Sequence, residues 1–205
     1  MVVVQLPPSV ATSLTERKRR LGRQRIIEAA EELFAANGFD DVSVTDIAER
    51  ADVGRTTFFR YFGDKTAVVF AREQEVLDTL ATLAGEHLGA ARTTAEAVEL
   101  LRPVVLELCD RVTSDPAAYE ARSRLLALHP ELRARDALKA QQMADMLGEA
   151  LVGSGTEPRV AVLAAQVALA CYQAGRRQAA TGRELIDETR AAFEAALRIG
   201  RDASD

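Results

Sequence analysis

Apolar residues along this chain recur three and four positions apart, the period of helices that bury one face. Ile26, Ile27, Ala30, Leu33 and Phe34 form such a stripe, and Asn37-Gly38 supplies the stop for a helix that begins near Thr15. A second helix is predicted from Ser43 to about Arg50. There the run Ser43-Val44-Thr45-Asp46 spaces a serine and an acid so that each side chain closes the other's free backbone N–H. Ala51-Asp52-Val53-Gly54 interrupts the pattern, and a third helix carries Arg55 to Tyr61 before Gly63-Asp64 ends it. Beyond that point the spacing predicts longer helices over roughly 65–85, 94–113, 116–127, 131–152, 158–181 and 184–199, separated by Gly, Pro, Ser and Asp. No stretch alternates with period two, so the fold class expected is all-α, without strands or internal repeats.

Composition agrees with this pattern. The 205 residues contain no Trp and only 6 Pro, and 48% are hydrophobic against 28% charged. Such a balance suits a helical globular protein and excludes collagenous, disordered and disulfide-stapled classes. Cys109 and Cys171 lie in separate apolar helical runs and read as small buried hydrophobes of a reducing compartment. Met1 to Gln5 lacks a basic n-region and meets Pro7-Pro8 at once, so no secretion signal is expected there. The most apolar stretch, Val160 to Cys171, is 12 residues long and holds Gln166, too short to cross a bilayer. The expectation is a soluble cytoplasmic protein with no membrane partner.

Charge is distributed unevenly. The whole chain carries 26 Lys and Arg against 31 Asp and Glu, a net −5, so any nucleic-acid surface must be local. Arg17, Lys18, Arg19, Arg20, Arg23 and Arg25 crowd the start of the first helix, with Glu16 the one acid among them. The organisation expected is an arm over 1–14, a small basic-fronted domain over 15–64 and a larger helical domain over 65–205.

Two short helices joined by a four-residue break, with a small residue at their crossing, meet the packing requirement of a helix-turn-helix. Ala48 lets the backbones approach, and Ile47, Ala51, Val53, Phe58 and Phe62 supply a shared core. Asp52 stands where the turn needs a left-handed residue. Arg55, Thr56, Thr57, Arg60 and Tyr61 are left outward on the second helix of the pair. Arg donates two hydrogen bonds to a guanine edge, and Thr offers a methyl to thymine and a hydroxyl to bases or phosphates. Arg55 and Thr56 are placed to read bases. Ser43 and Thr45 sit at a helix N-terminus beside the backbone or groove edge, with Ser43 also a cap. Lys65 adds a point charge after the third helix.

The run Arg25-Ile26-Ile27-Glu28-Ala29-Ala30-Glu31-Glu32-Leu33-Phe34, then Gly38-Phe39, Ser43-Val44-Thr45-Asp46-Ile47-Ala48, and Val53-Gly54-Arg55-Thr56-Thr57-Phe58-Phe59-Arg60-Tyr61-Phe62-Gly63-Asp64-Lys65, resembles the DNA-binding domain of TetR-family transcriptional regulators. The resemblance covers about residues 20–70 in order and without gaps. It implies base contacts from Thr45, Arg55 and Thr56, and phosphate contacts from Ser43, Thr57, Tyr61 and Lys65. Three residues depart from the family pattern: Asp52 where Gly is usual, Gly54 where a small polar residue is common, and Phe59 where Tyr is usual. Phe59 loses a phenolic phosphate contact but keeps a ring that can touch a thymine methyl. The resemblance further implies a ligand-binding and dimerisation domain in the remainder, with the last two long helices forming a four-helix bundle with a second copy.

On the last helix Leu185, Ile186, Thr189, Ala192, Phe193, Ala196, Leu197 and Gly200 form the stripe expected to serve that bundle. The partner set expected is therefore a homodimer, a palindromic double-stranded DNA operator and a small-molecule effector. Pocket candidates are the polar groups inside apolar helical runs: Arg102, Cys109, Tyr119, Arg122, Gln166, Tyr172 and Gln173. The apolar faces around them favour a hydrophobic or amphipathic effector, and residues 125–135 are similar to members that sense acyl-CoA-like molecules. The fourth helix, starting near Lys65, is the expected lever between effector and DNA.

His87 and His129 have no partners at ligand spacing, no phosphate loop follows a strand, and no nucleophile has a triad. No enzyme, metal site or cofactor is expected. The main expectation is a ligand-released repressor. Its alternatives are an activator of the same fold, a small-molecule-binding helical protein whose front domain does not read DNA, and an interaction protein with a heteromeric bundle.

Overall fold

The computed structural model describes residues 14–202, so of the arm expected over 1–14 only Leu14 is described, as the first residue of a helix. Those residues form helices alone and divide into two compact units, with the division between Ala71 and Arg72 rather than at Asp64.

The first unit holds α1 (Leu14–Asn37), α2 (Val44–Arg50), α3 (Arg55–Tyr61) and α4 (Lys65–Val69). Of the core expected for the helix-turn-helix, Ile47, Ala51, Phe58 and Phe62 are buried and Val53 is half-buried. Ile26, Ile27 and Ala30 of α1, Ile47 and Ala48 of α2 and Phe58 of α3 are all essentially without solvent contact. Phe58 packs against Phe62 with ring centroids 5.8 Å apart, and Phe34 meets Phe39 at 5.2 Å. These rings give a unit of this size the apolar area it needs to hold together. Gly38 closes α1 at φ 83°, in the left-handed region that a C-terminal stop uses.

The fourth helix departs from expectation. One rod over roughly 65–85 was expected, whereas α4 ends at Val69 and α5 (Glu73–His87) begins after a break. Val68, Phe70 and Ala71 are all buried, and Arg23 of α1 donates to the Ala71 carbonyl. Tertiary capture of these three closely spaced residues outweighs the local preference for a continuous helix.

The second unit holds α5, α6 (Thr94–Val112), α7 (Pro116–Leu128), α8 (Pro130–Gly153), α9 (Pro158–Gln178) and α10 (Gly182–Asp202). Pro116, Pro130 and Pro158 each occupy a first helical turn, where a missing N–H costs nothing. Thr93 and Asp115 cap α6 and α7 through Glu96 N–H and Ala118 N–H. Thr156, only 3% exposed, takes the Ala91 N–H at 2.9 Å and ties the α8–α9 loop to the segment before α6.

The packing of α10 corrects a second expectation. Leu185, Thr189 and Phe193, assigned from sequence to a partner bundle, are fully buried inside this chain. Ile186, Ala192, Ala196 and Leu197 are partly buried against the same core. The α9–α10 approach is so close that a Cβ on Gly175 would lie 2.2 Å from Thr189 Oγ1 and 2.8 Å from Thr189 N. Glycine is required there for want of space.

Candidate nucleic-acid interface and effector cavity

The turn between α2 and α3 is built as the spacing predicts. Ser43 Oγ accepts from Asp46 N–H at 3.2 Å while Asp46 Oδ2 accepts from Ser43 N–H at 2.8 Å, closing the capping box. The Ser43 hydrogen bonds hold the Asp46 carboxyl below the usual carboxylate range. Asp52 takes the left-handed conformation at φ 52°, the one non-glycine among the described residues to do so. Its carboxylate lies 3.7 Å from Arg25, an exposed pair that contributes little energy but faces the turn toward α1.

The two faces of α3 differ sharply. Phe58 is fully buried, whereas Arg55, Thr56, Phe59 and Arg60 are exposed. Arg55 makes no ion pair or hydrogen bond to the rest of the described chain, so its full set of donors is available to a partner. Phe59 is 49% exposed and stands edge-on to Phe58 at 5.6 Å, a large ring left in solvent by a well-packed helix. Thr57 and Tyr61 are half-buried, and the Tyr61 ring lies against α1, where a Cβ on Gly22 would be 3.4 Å from its hydroxyl. Arg60 sits over that ring at 5.3 Å. Ser43 is exposed and Thr45 half-buried at the start of α2.

The cations divide into two groups. Arg17, Lys18, Arg19 and Arg20 are exposed along the start of α1. Arg23 is half-buried, with its guanidinium 5.4 Å from the Phe62 ring centroid as well as on the Ala71 carbonyl. Lys65 is committed inside the unit in a way the sequence did not disclose. Its ammonium donates to the carbonyls of Phe39 at 2.7 Å, Val42 at 3.1 Å and Asp40 at 3.3 Å, and stands 4.3 Å over the Phe39 ring. An ammonium has three protons, and all three point at the loop that leads into α2.

In the second unit a cavity of about 30 Å³ opens among α5, α6, α8 and α9, with Leu80, Val105, Met143, Leu147, Ala168 and Tyr172 among its lining residues. Of the seven sequence candidates, Tyr172 alone lines it. Cys109, Tyr119 and Arg122 gather nearby, around two residues that sequence reading missed. Asp136 of α8 accepts from Arg122 of α7 at 3.0 Å and from Arg176 of α9 at 2.5 Å. Burial opposes the charge on Asp136, but the two guanidiniums prevail and hold its carboxyl below the usual range. Arg176 lies 5.7 Å over the Tyr172 ring. Burial pushes the Tyr172 phenol up to about 12 and each of the thiols of Cys109 and Cys171 up to about 11.

Arg102 lies apart, paired with Glu99 of its own helix at 2.9 Å, and Gln166 and Gln173 are half-buried on α9 away from the cavity lining. Asp136 follows Arg133-Ala134-Arg135 in sequence, where nothing separates a buried acid from a surface one. Among the described residues no His, Cys, Asp and Glu cluster could hold a metal ion, and no helix is long and apolar enough to cross a membrane.

Residues 26–71 match the family of bacterial regulatory proteins described as the tetR family. A proposed mycofactocin biosynthesis transcriptional regulator of Mycobacterium tuberculosis, MftR, is 36% identical over 121 residues, which cover 56% of this chain and 59% of that relative. The chain thus spans little more than half the length of that curated relative. The crystal structure of Thermus thermophilus FadR, a TetR-family repressor in complex with lauroyl-CoA, is similar with a TM-score of 0.56 at 28% identity. That match covers 84% of this chain and 91% of that one. A TetR-family regulator from Syntrophomonas wolfei shares the fold at a TM-score of 0.65 and 16% identity, covering 87% and 95% of the two chains. The helix-turn-helix is formed by the same residues that carry the match, so this part of the chain is similar to the bacterial regulatory proteins of the tetR family.

Proposed function

We propose that this chain is a homodimeric, effector-responsive repressor that binds a palindromic operator through α3. The observation that carries the reading is the outer face of α3. A helix whose inner side is fully packed presents Arg55, Thr56, Phe59 and Arg60 to solvent, with the Arg55 guanidinium uncommitted. Arg55 and Thr56 read base edges in the major groove. Ser43, Thr45, Thr57 and Tyr61 position the unit on phosphates, and the cations at the start of α1 supply the salt-dependent attraction. Phe59 contributes a ring to a thymine methyl. Arg60, stacked on Tyr61, lies at the rim of this surface.

Two such surfaces about 34 Å apart would meet successive major grooves on one face of a duplex, which is why the operator is palindromic. Dimerisation rests on α9 and α10. With Leu185, Thr189 and Phe193 of the α10 stripe buried inside the chain, the surface left for a second copy includes Val162 and Leu163 of α9, 59% and 54% exposed. The effector is hydrophobic or amphipathic, in keeping with the apolar cavity and with the acyl-CoA complex of the FadR neighbour. It acts by favouring a conformation of the dimer with lower affinity for the operator.

Selection of bound duplexes from a random pool, followed by salt titration of the winner, tests this reading. An enriched palindrome bound by a particle of twice 22.2 kDa is the expected result. Retention without sequence preference at every salt concentration would overturn it.

A further inference from the structure

Two helices run from the apolar cavity into the charged cluster by the same step. On α8, Ala140 lines the cavity and Asp136 lies four residues before it; on α9, Tyr172 lines the cavity and Arg176 lies four residues after it. Residues four apart share a helix face, so the cavity and the ion cluster are neighbours on both walls. Tyr172 belongs to both, with its ring at the cavity and the Arg176 guanidinium above it. The groups that act electrostatically on Arg176 are Asp136 and the phenols of Tyr172 and Tyr119. Asp136 thus bridges the Arg122 and Arg176 guanidiniums at the end of an apolar space.

Building on the reading of the second unit as an effector domain, we propose that its site takes an amphipathic carboxylate. The alkyl chain would enter the cavity beside Met143, and the carboxylate would bind Arg176 and Arg122 in the place Asp136 now holds. A guanidinium receives a carboxylate through two parallel N–H bonds, which a neutral head group cannot match and a cation would oppose. The cavity is small at about 30 Å³, so the tail enters only as Met143 and neighbouring lining side chains such as Leu80 and Leu147 move aside. Met143 is unbranched and flexible, the kind of side chain that yields to an incoming apolar group. Asp136 is then an internal competitor for the ligand's head group.

The experiment compares decanoate with decanol at submicellar concentration, by calorimetric titration of the full chain and of the variants Asp136→Asn and Arg176→Gln. Decanoate should bind the unmodified chain about tenfold more tightly than decanol, the gain expected of a charge-assisted hydrogen-bonded pair. Arg176→Gln should remove that preference while decanol still binds, showing the cavity intact. Asp136→Asn should tighten decanoate and leave decanol unchanged, a result that a purely structural ion triad would not give. Equal affinity for the two ligands, no binding of either, a preserved preference in Arg176→Gln, or weakened decanoate binding in Asp136→Asn would each overturn the proposal. None of these outcomes bears on DNA reading, which the duplex selection tests separately.

Discussion

The two units of this chain place their functional residues in opposite ways. In the first, the residues assigned to base and phosphate contacts lie between Ser43 and Tyr61, within one local motif, and most project into solvent from a helix pair whose inner faces are closed. In the second, the groups around the cavity come from helices as far apart in sequence as Leu80 of α5 and Arg176 of α9, and most are buried or half-buried. A surface reader needs a rigid local support with long polar side chains outside it. An effector cavity needs walls from several helices, and its polar groups survive burial only by finding one another.

Breaking the close approach in the second unit should have the largest effect. Gly175→Ala places a methyl against the Thr189 backbone, where no side chain can move aside, and should cost about 3 kcal/mol, at the upper end of overpacking. Urea unfolding checks it, with Gly148→Ala as a milder control because a Cβ there meets Ala165 Cβ at an ordinary 3.6 Å.

In the first unit the Lys65 ammonium is committed to three carbonyls of its own chain. Lys65→Ala should destabilise the chain by about 2 kcal/mol through three abandoned carbonyls, while leaving the slope of DNA affinity against salt unchanged. A phosphate contact would instead lower that slope by about 1 with little loss of stability. The two readings separate in a thermal melt and a salt titration of the same variant.

A smaller effect is expected from Asp136. Since its carboxyl is held below the usual range when folded, the stability it contributes is complete above about pH 5 and is lost as pH falls through the depressed folded value. Asp136→Asn should flatten the acid limb of a stability profile and leave the neutral region parallel to that of the unmodified chain. Smallest is the cap: Ser43→Ala should cost about 1 kcal/mol, read by chemical denaturation.

How much of this was legible follows from where the determinants lie. The capping box, the left-handed Asp52 and the buried Phe58 are set by residues within a few positions of one another, so spacing alone predicts them. The break after Val69 depends on Arg23 and on a pocket for Phe70, which lie elsewhere in the chain and leave no local signal. Lys65 had the charge expected of a phosphate ligand, and only the positions of the Phe39, Asp40 and Val42 carbonyls redirect it. The apolar stripe of α10 was correctly periodic, but periodicity does not say which neighbour covers a face, and here it is the chain's own α9 and α6. Tyr172 and Arg122 were legible as polar groups in apolar runs. Their partners Asp136 and Arg176 looked like ordinary surface charges until α7, α8 and α9 brought them together.

If this chain reads DNA, Arg55 on α3 reads a base. The most direct test of this is the affinity of the unmodified chain and of Arg55→Ala for the selected duplex and for every single-base variant of one half-site. Arg55→Ala should lose about 1–3 kcal/mol on the selected duplex and become indifferent to the base at one position per half-site, with discrimination elsewhere retained. Unchanged base preference at every position, or an equal loss on all sequences, would contradict it.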